Sequence, residues 1–180
     1  FSGEITIGGS PLSEVNEMNL MEHVVLVRHN SYLFKGTVEE SLRMAKPDAT
    51  KAEMNEVLQK VNLLGFLQTQ DGLQTKLLEK AGNLSGGQCQ RLVIARALLK
   101  DAEVYIFDEA TSNIDIESEE LIMQVIHELA KTRTVLLISH RLANVVKSDQ
   151  IYFLKDGEIK ERGTHVELMN LNGSYKHLYE

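Results

Sequence analysis

The sequence predicts an α/β protein with a parallel sheet at its core, on three observations. Residues 104–107, Val-Tyr-Ile-Phe, form a short unbroken apolar run that ends in the acidic pair Asp108-Glu109. Residues 134–138 form a second run, rich in β-branched residues and leucine, that ends in Ser139-His140. Such runs suit strands buried on both faces of a parallel sheet. Segments with apolar residues at helical spacing lie between and before them, and strands alternating with helices imply parallel crossovers.

Composition narrows the class. The chain has 180 residues, enough for a sizeable core, and 43% of them are hydrophobic, which is ordinary for a globular protein. A formal net charge of −7 argues against a general nucleic-acid binder, which carries a basic face. A single cysteine gives no disulfide framework and fits a reducing compartment. No stretch approaches the ~20 apolar residues of a membrane span, and no signal peptide is visible. The sequence opens at Phe1-Ser2-Gly3 without an initiator Met and reads as a piece of something longer.

In chain order, residues 4–7 alternate polar and apolar and end at Gly8-Gly9, a strand and turn. Residues 24–27 are a second short apolar strand, followed by Arg28-His29-Asn30-Ser31-Tyr32-Leu33-Phe34. Thr37, with Glu40 three residues on, has the spacing of a capping box at a helix start. Pro47-Asp48-Ala49-Thr50 is a break, and either Thr50 or Asp48 caps a helix over 51–61. Leu63, Leu64, Phe66 and Leu67 are expected to pack this helical region together.

Ser85 is a good N-cap for the next helix. There Cys89, Leu92, Arg96 and Leu99 share one face with Ala95 beside them, and Ala and Leu favour helix. After strand 104–107, residues 116–131 predict an amphipathic helix with Leu121, Val125, Ile126 and Leu129 as its apolar side. Its acidic residues gather near the start, as the helix dipole prefers. Residues 151–154 and 158–161 read as a hairpin around Asp156-Gly157, a strong turn signal. Short helices follow Gly163-Thr164 and Gly173-Ser174.

Three places carry chemistry. Gly86 and Gly87 bring no side chains, so their amides can approach an anion at a helix start that is already partly positive. Asp108 and Glu109 follow the carboxyl end of a strand, where open α/β sheets bind ligands. His140 follows the next strand and is expected at the same edge. Taken one at a time, each has a bland reading: a Gly-rich helix cap, an acidic loop, a structural histidine.

Taken together they do not. Residues 83–115, NLSGGQCQRLVIARALLKDAEVYIFDEATSNID, resemble the signature motif, Walker B strand and D-loop of an ABC-type ATPase, and the likeness runs through nearly the whole chain. The resemblance implies the P-loop NTPase (ABC ATPase) fold, with a parallel sheet core, a helical subdomain and a small β-subdomain. Residues 1–36 would be the β-subdomain remnant and Q-loop region. Residues 37–99 would be the helical subdomain ending in the signature helix. Residues 100–180 would be a RecA-like core with Walker B, D-loop, switch histidine and C-terminal helices.

It also implies roles. Leu84, Ser85, Gly86, Gly87 and Gln88 would bind ATP held by a partner domain, with Asp115 in the D-loop. Asp108 would help hold Mg²⁺ through water, Glu109 would polarise the attacking water, and His140 would contact the γ-phosphate and orient Glu109. The family's usual Gln, four residues before Leu33-Phe34, is replaced here by His29. An imidazole can still bond water or a metal, and a solvated loop histidine is the other reading of the position. Residues 78–82, Leu-Glu-Lys-Ala-Gly, stand where exporters have GExG, with Glu79 matching and Leu78 departing. Glu79 also reads as a plain surface carboxylate.

The sequence has no GxxxxGK[ST] and no Gly-Lys dipeptide. The phosphate-binding loop, its helix and the adenine-stacking aromatic are expected before Phe1. Strands 104–107 and 135–138 are then expected to be partly uncovered. The tail from Asp156 onward resembles that of exporter-type half-transporters. This implies a membrane-spanning partner region, a place on the cytoplasmic face of the cell membrane, and head-to-tail pairing with a second nucleotide-binding domain, identical or not. ATP hydrolysis there drives export, and no nucleic acid is involved. Two other classes stand beside it. A chromosome-maintenance or DNA-repair ATPase would show long heptad segments, which are missing. A non-catalytic regulatory module would have lost Glu109 and His140, although the His29 departure favours it.

Overall fold

The computed structural model describes residues 3–180. Phe1 and Ser2, the first residues of the expected β-subdomain, lie outside the described residues. The chain forms two compact units, Phe1–Leu136 and Leu137–Glu180, and each is described by itself.

The first unit opens with a small antiparallel pair, β1 (Thr6–Ile7) and β2 (Ser10–Pro11), turned by Gly8 and Gly9 at positive φ. Helix α1 (Glu17–His23) is capped by the Asn16 side chain, which accepts from the Met18 amide at 2.8 Å, and runs straight into β3 (Val24–Arg28). Strand β4 (Gly36–Thr37) leads into α2 (Val38–Arg43), and α3 (Lys51–Lys60) and α4 (Leu64–Gln68) follow. The expected capping box of Thr37 with Glu40 forms, and Thr50 rather than Asp48 caps α3, completing a box with Glu53. Asn62 closes α3 at φ 52°, a left-handed conformation that asparagine tolerates.

Strand β5 (Lys76–Leu77) pairs back onto β4, and the long helix α5 (Gly86–Leu99) follows. Strand β6 (Val104–Asp108), helix α6 (Ile116–Ala130) and strand β7 (Thr134–Ile138) complete the order. The sheet runs β3-β6-β7. β3 and β6 are parallel, in register from Val24 opposite Val104 to Arg28 opposite Asp108, so Asp108 ends the central strand.

The core lies on one side of this sheet. Val27, Tyr105 and Phe107 are buried there, along with Leu92, Ile94, Ala95 and Leu99 of α5. Val38, Leu42, Met54, Leu58, Leu63 and Leu67 extend it into the helical block. Each such side chain contributes about 1.5–3 kcal/mol on burial. Of the expected Leu63–Leu67 cluster, Leu63 and Leu67 are fully buried and Leu64 and Phe66 half-buried.

Three expectations are corrected. Helix α5 was expected to bury one face. Gln90, Leu92, Val93, Ile94, Ala95, Ala97 and Leu99 are all buried, the pattern of a helix surrounded on most sides. In α6 the buried side is Ser118, Glu119, Ile122, Met123 and Ile126. Leu121, Val125 and Leu129 are only half-buried, because α5 packs against the face that carries Ser118, Ile122 and Ile126. The sheet strands were expected to be buried on both faces. They alternate instead: Tyr105 and Phe107 are buried while Val104 and Ile106 are half-buried. Leu26 of β3 is 47% exposed, Leu136 51% and Ile138 43%. The second face of these strands is thus partly open to solvent.

The second unit is built on a hairpin, β8 (Ile151–Lys155) and β9 (Glu158–Gly163). Asp156 and Gly157 both take positive φ, as a two-residue hairpin turn of the twist-matching kind requires. Helices α7 (His165–Asn170) and α8 (Ser174–Tyr179) pack a small core of Ile151, Leu168 and Tyr175, flanked by Leu142, Val145, Phe153 and Met169. Thr164 and Glu167 form a capping box for α7, and the Glu161 carboxylate caps α8 by accepting the Ser174 and Tyr175 amides at 2.5 and 3.2 Å.

Candidate functional site

The start of α5 is the first part of the site. Ser85 Oγ accepts the Gln88 amide at 3.1 Å, and the Gln88 side chain accepts the Ser85 amide at 2.9 Å. This reciprocal box uses both side chains for capping. The Cys89 amide goes to the Ser85 carbonyl at 2.9 Å. Gly86 and Gly87 amides are then the ones a helix start leaves without an intrahelical acceptor. They sit at the positive end of a 14-residue helix, a setting that favours an anion. Leu84 before them is half-buried and its amide bonds the Ala81 carbonyl at 2.8 Å.

The segment leading in is held under backbone strain. Lys80 and Ala81 take φ 55° and 51°, costly for residues with a Cβ and seen where surroundings impose them. Asn83 clasps the turn: its side-chain oxygen accepts the Leu78 amide and its amide group donates to the Lys76 carbonyl, both at 2.9 Å. Leu78, in the position of the family's first Gly, is 55% exposed, and Glu79 is exposed in a short 3₁₀ turn.

The second part is the carboxyl end of β6. Asp108 is its last residue and lies 3.7 Å from the Arg28 guanidinium of β3, a partly exposed pair of small energetic weight. Glu109 follows at φ 49°, another left-handed residue of the kind that clusters where function imposes strain. The Ser112 hydroxyl donates to the Glu109 carboxylate at 3.2 Å and the Ser112 amide to its carbonyl at 2.9 Å. The turn through Asn113, at φ 63°, then delivers Asp115. Asp115 caps α6 by accepting the Ser118 amide at 2.8 Å. That amide and the Ser118 hydroxyl are the main causes holding the Asp115 carboxyl below its usual range.

The third part is the loop after β3. His29 lies in its first turn and is exposed. The loop is fixed from α5 by residues that sequence reasoning passed over. Buried Gln90 donates to the Arg28 carbonyl at 3.3 Å, and Arg96, whose pKa is lowered by burial, reaches the Tyr32 carbonyl. Beside this loop is an open groove of about 560 Å³, lined mainly by apolar groups including Val25, Tyr32, Phe34, Met44 and Val93, with Arg96 and Lys100 as its cations. Cys89 is half-buried, and burial pushes its thiol up.

His140 belongs to the second unit. It is exposed, two residues beyond β7, where Ser139 Oγ accepts the Arg141 amide at 3.0 Å and organises the turn. Among the described residues no group of three or more His, Cys, Asp or Glu is gathered to hold a metal. No described helix is long and apolar enough to cross a membrane.

Comparison with known proteins identifies the family. The family model for ABC transporters matches residues 1–112. An uncharacterised ABC transporter ATP-binding protein of Haemophilus influenzae is 48% identical over 178 residues, covering 99% of this chain and 32% of that protein. An ATP-dependent lipid A-core flippase of Xanthomonas campestris is 41% identical and a putative multidrug export ATP-binding/permease protein of Bacillus subtilis 38%. Each match covers 99% of this chain and 31% of the relative. The chain therefore spans about a third of the length of these curated relatives. A solved bacterial Atm1-family ABC exporter with ATP bound superposes with a TM-score of 0.91 at 30% identity, over 99% of this chain and 32% of that one.

Proposed function

The chain belongs to the ABC transporter family, and from that premise we propose that it is the ATP-hydrolysing part of an exporter, working at the cytoplasmic face of a membrane. Two such domains pair head to tail, and Leu84, Ser85, Gly86, Gly87 and Gln88 face the nucleotide held by the partner. The open start of α5 carries this reading. Its capping box consumes the Ser85 and Gln88 side chains and leaves two glycine amides at the positive helix end, which is what a bound polyphosphate needs.

Glu109 is the base that polarises the attacking water, positioned by its strained backbone and by Ser112. His140 supports the γ-phosphate, Asp115 presents the D-loop, and His29 stands at the Q-loop position. The donor set fits Mg²⁺: Asp108, a partly exposed carboxylate at the end of β6, and Glu109 beside it are the hard oxygen donors that ion takes when substrate phosphates supply the rest. Asp108 would hold it through water, and the ion would neutralise charge on the phosphates during transfer. The helical block, expected to span residues 37–99, presents Ser85. The groove by Tyr32 and Phe34 receives the membrane-spanning partner.

Glu109→Gln in the full-length protein tests this, since the amide keeps the shape and loses the charge. ATP binding is expected to persist while hydrolysis falls by about 100-fold or more, the usual weight of a general base. Wild-type turnover in that variant would remove Glu109 from the role.

A further inference from the structure

The two glycines of the α5 start are not equivalent. A Cβ built on Gly86 would meet nothing closer than the Asn113 carbonyl at 3.8 Å. A Cβ on Gly87 would lie 2.1 Å from Ser118 Oγ, 2.6 Å from Ser118 Cβ and 3.0 Å from an Asp115 carboxylate oxygen. Carbon atoms sit at about 3.5–4.0 Å, so an alanine there must push the starts of α5 and α6 apart by about 1 Å. Gly87 is buried, and its φ is not among the positive values, so the backbone conformation does not require glycine. The close approach of Ser118 does.

Ser118 is only 5% exposed. Its amide donates to Asp115, so its position fixes the D-loop carboxylate. From the other side, Arg91 donates to the Gly87 carbonyl at 3.3 Å and to the Asn62 carbonyl, at the end of α3, at 2.8 Å. The helical block, the first turn of α5 and the cap of α6 thus meet at one point.

We infer that Ser118, seated in the notch left by Gly87, is a positioning residue that locks Asp115 to the start of α5. The two surfaces then approach the partner's nucleotide as one rigid body. This rests on the function proposed above, and it gives Gly87 a packing role where sequence reasoning gave it only an anion-binding one.

The test is a compensation cycle in the full-length protein. Gly87→Ala should lower both the melting temperature and kcat, by up to about 100-fold for a 1 Å misplacement, with KM for ATP little changed. Ser118→Gly removes the obstructing Cβ, so Gly87→Ala/Ser118→Gly should recover most of both losses. Gly87→Ala/Ser118→Ala removes the nearest atom, Oγ, but keeps the Cβ at 2.6 Å, and should recover only part of both. A double variant with Gly that regains melting temperature but stays as slow as Gly87→Ala would overturn the inference, because the bare Cα would then be needed by the anion and not by Ser118. Failure to regain either would overturn it too. Ser85→Arg, run in parallel, separates the two ideas: wild-type turnover there would refute the contact with the partner's nucleotide. Recovery of melting temperature by Ser118→Gly would still establish the notch.

Discussion

Ser85 has two tasks that one substitution can separate. Its hydroxyl caps α5 through the Gln88 amide at 3.1 Å, and the same side chain lies exposed at the helix start proposed to face a phosphate. Aspartate caps a helix about as well as serine, and its charge at a helix N-terminus is favourable by about 0.3–1 kcal/mol. Ser85→Asp should therefore leave the stability of the domain unchanged or slightly raised. Against a phosphate at about 4 Å, the new charge costs about 4 kcal/mol at an effective dielectric constant near 20. That corresponds to about three decades in the equilibrium for ATP-driven pairing, and turnover should fall accordingly. Ser85→Ala is the opposite control: it should cost about 0.5–2 kcal/mol of stability without the electrostatic block. Calorimetry and steady-state ATPase assays on the full-length variants give both numbers. Turnover of Ser85→Asp within a few-fold of wild type would refute the phosphate contact, and a clear loss of stability would refute the capping argument.

Two further outcomes follow from groups away from the nucleotide. The Tyr105 hydroxyl accepts the Ala102 amide at 3.0 Å where both residues are 1% exposed. Tyr105→Phe orphans that amide at a cost of about 1–3 kcal/mol, or about 2–4 °C in Tm for each kcal/mol in a domain of this size. An unchanged Tm would contradict the buried bond. The Glu53 carboxyl is held at about 2, against 4.5 for the free group, by the Lys46 ammonium and then by the Thr50 amide and hydroxyl. Because the folded value is the lower one, this stabilisation is complete above about pH 4.5 and drains away as the pH falls toward 2. Glu53→Gln should flatten that part of a Tm-against-pH curve, and an identical acid limb would count against the pair.

The motif residues were legible because their chemistry is local. Ser85 as an N-cap, Thr37 with Glu40, and Asp156-Gly157 are short-range patterns whose geometry is local, and all three form. The burial of α5 on most sides was not legible, because a helix face reads only as far as its own period and α5 has neighbours on most of its circumference. The buried face of α6 through Ile122 and Ile126 includes Ser118, whose neighbour Gly87 lies 31 residues away in sequence. Gln90 and Arg91 read as ordinary helix polar residues, and their partners Arg28 and Asn62 lie far back in the chain. Long-range carbonyl acceptors leave no trace in a single sequence.

The central claim is that the Gly86 and Gly87 amides bind the phosphates of a nucleotide held by the partner domain. Amide hydrogen exchange of a short peptide covering these residues, in the full-length Glu109→Gln protein with and without Mg-ATP, addresses it directly. The account predicts marked slowing at Gly86 and Gly87 when ATP is added, and loss of that slowing in the Ser85→Arg background. Unchanged exchange at both glycines, with ATP demonstrably bound, would contradict it.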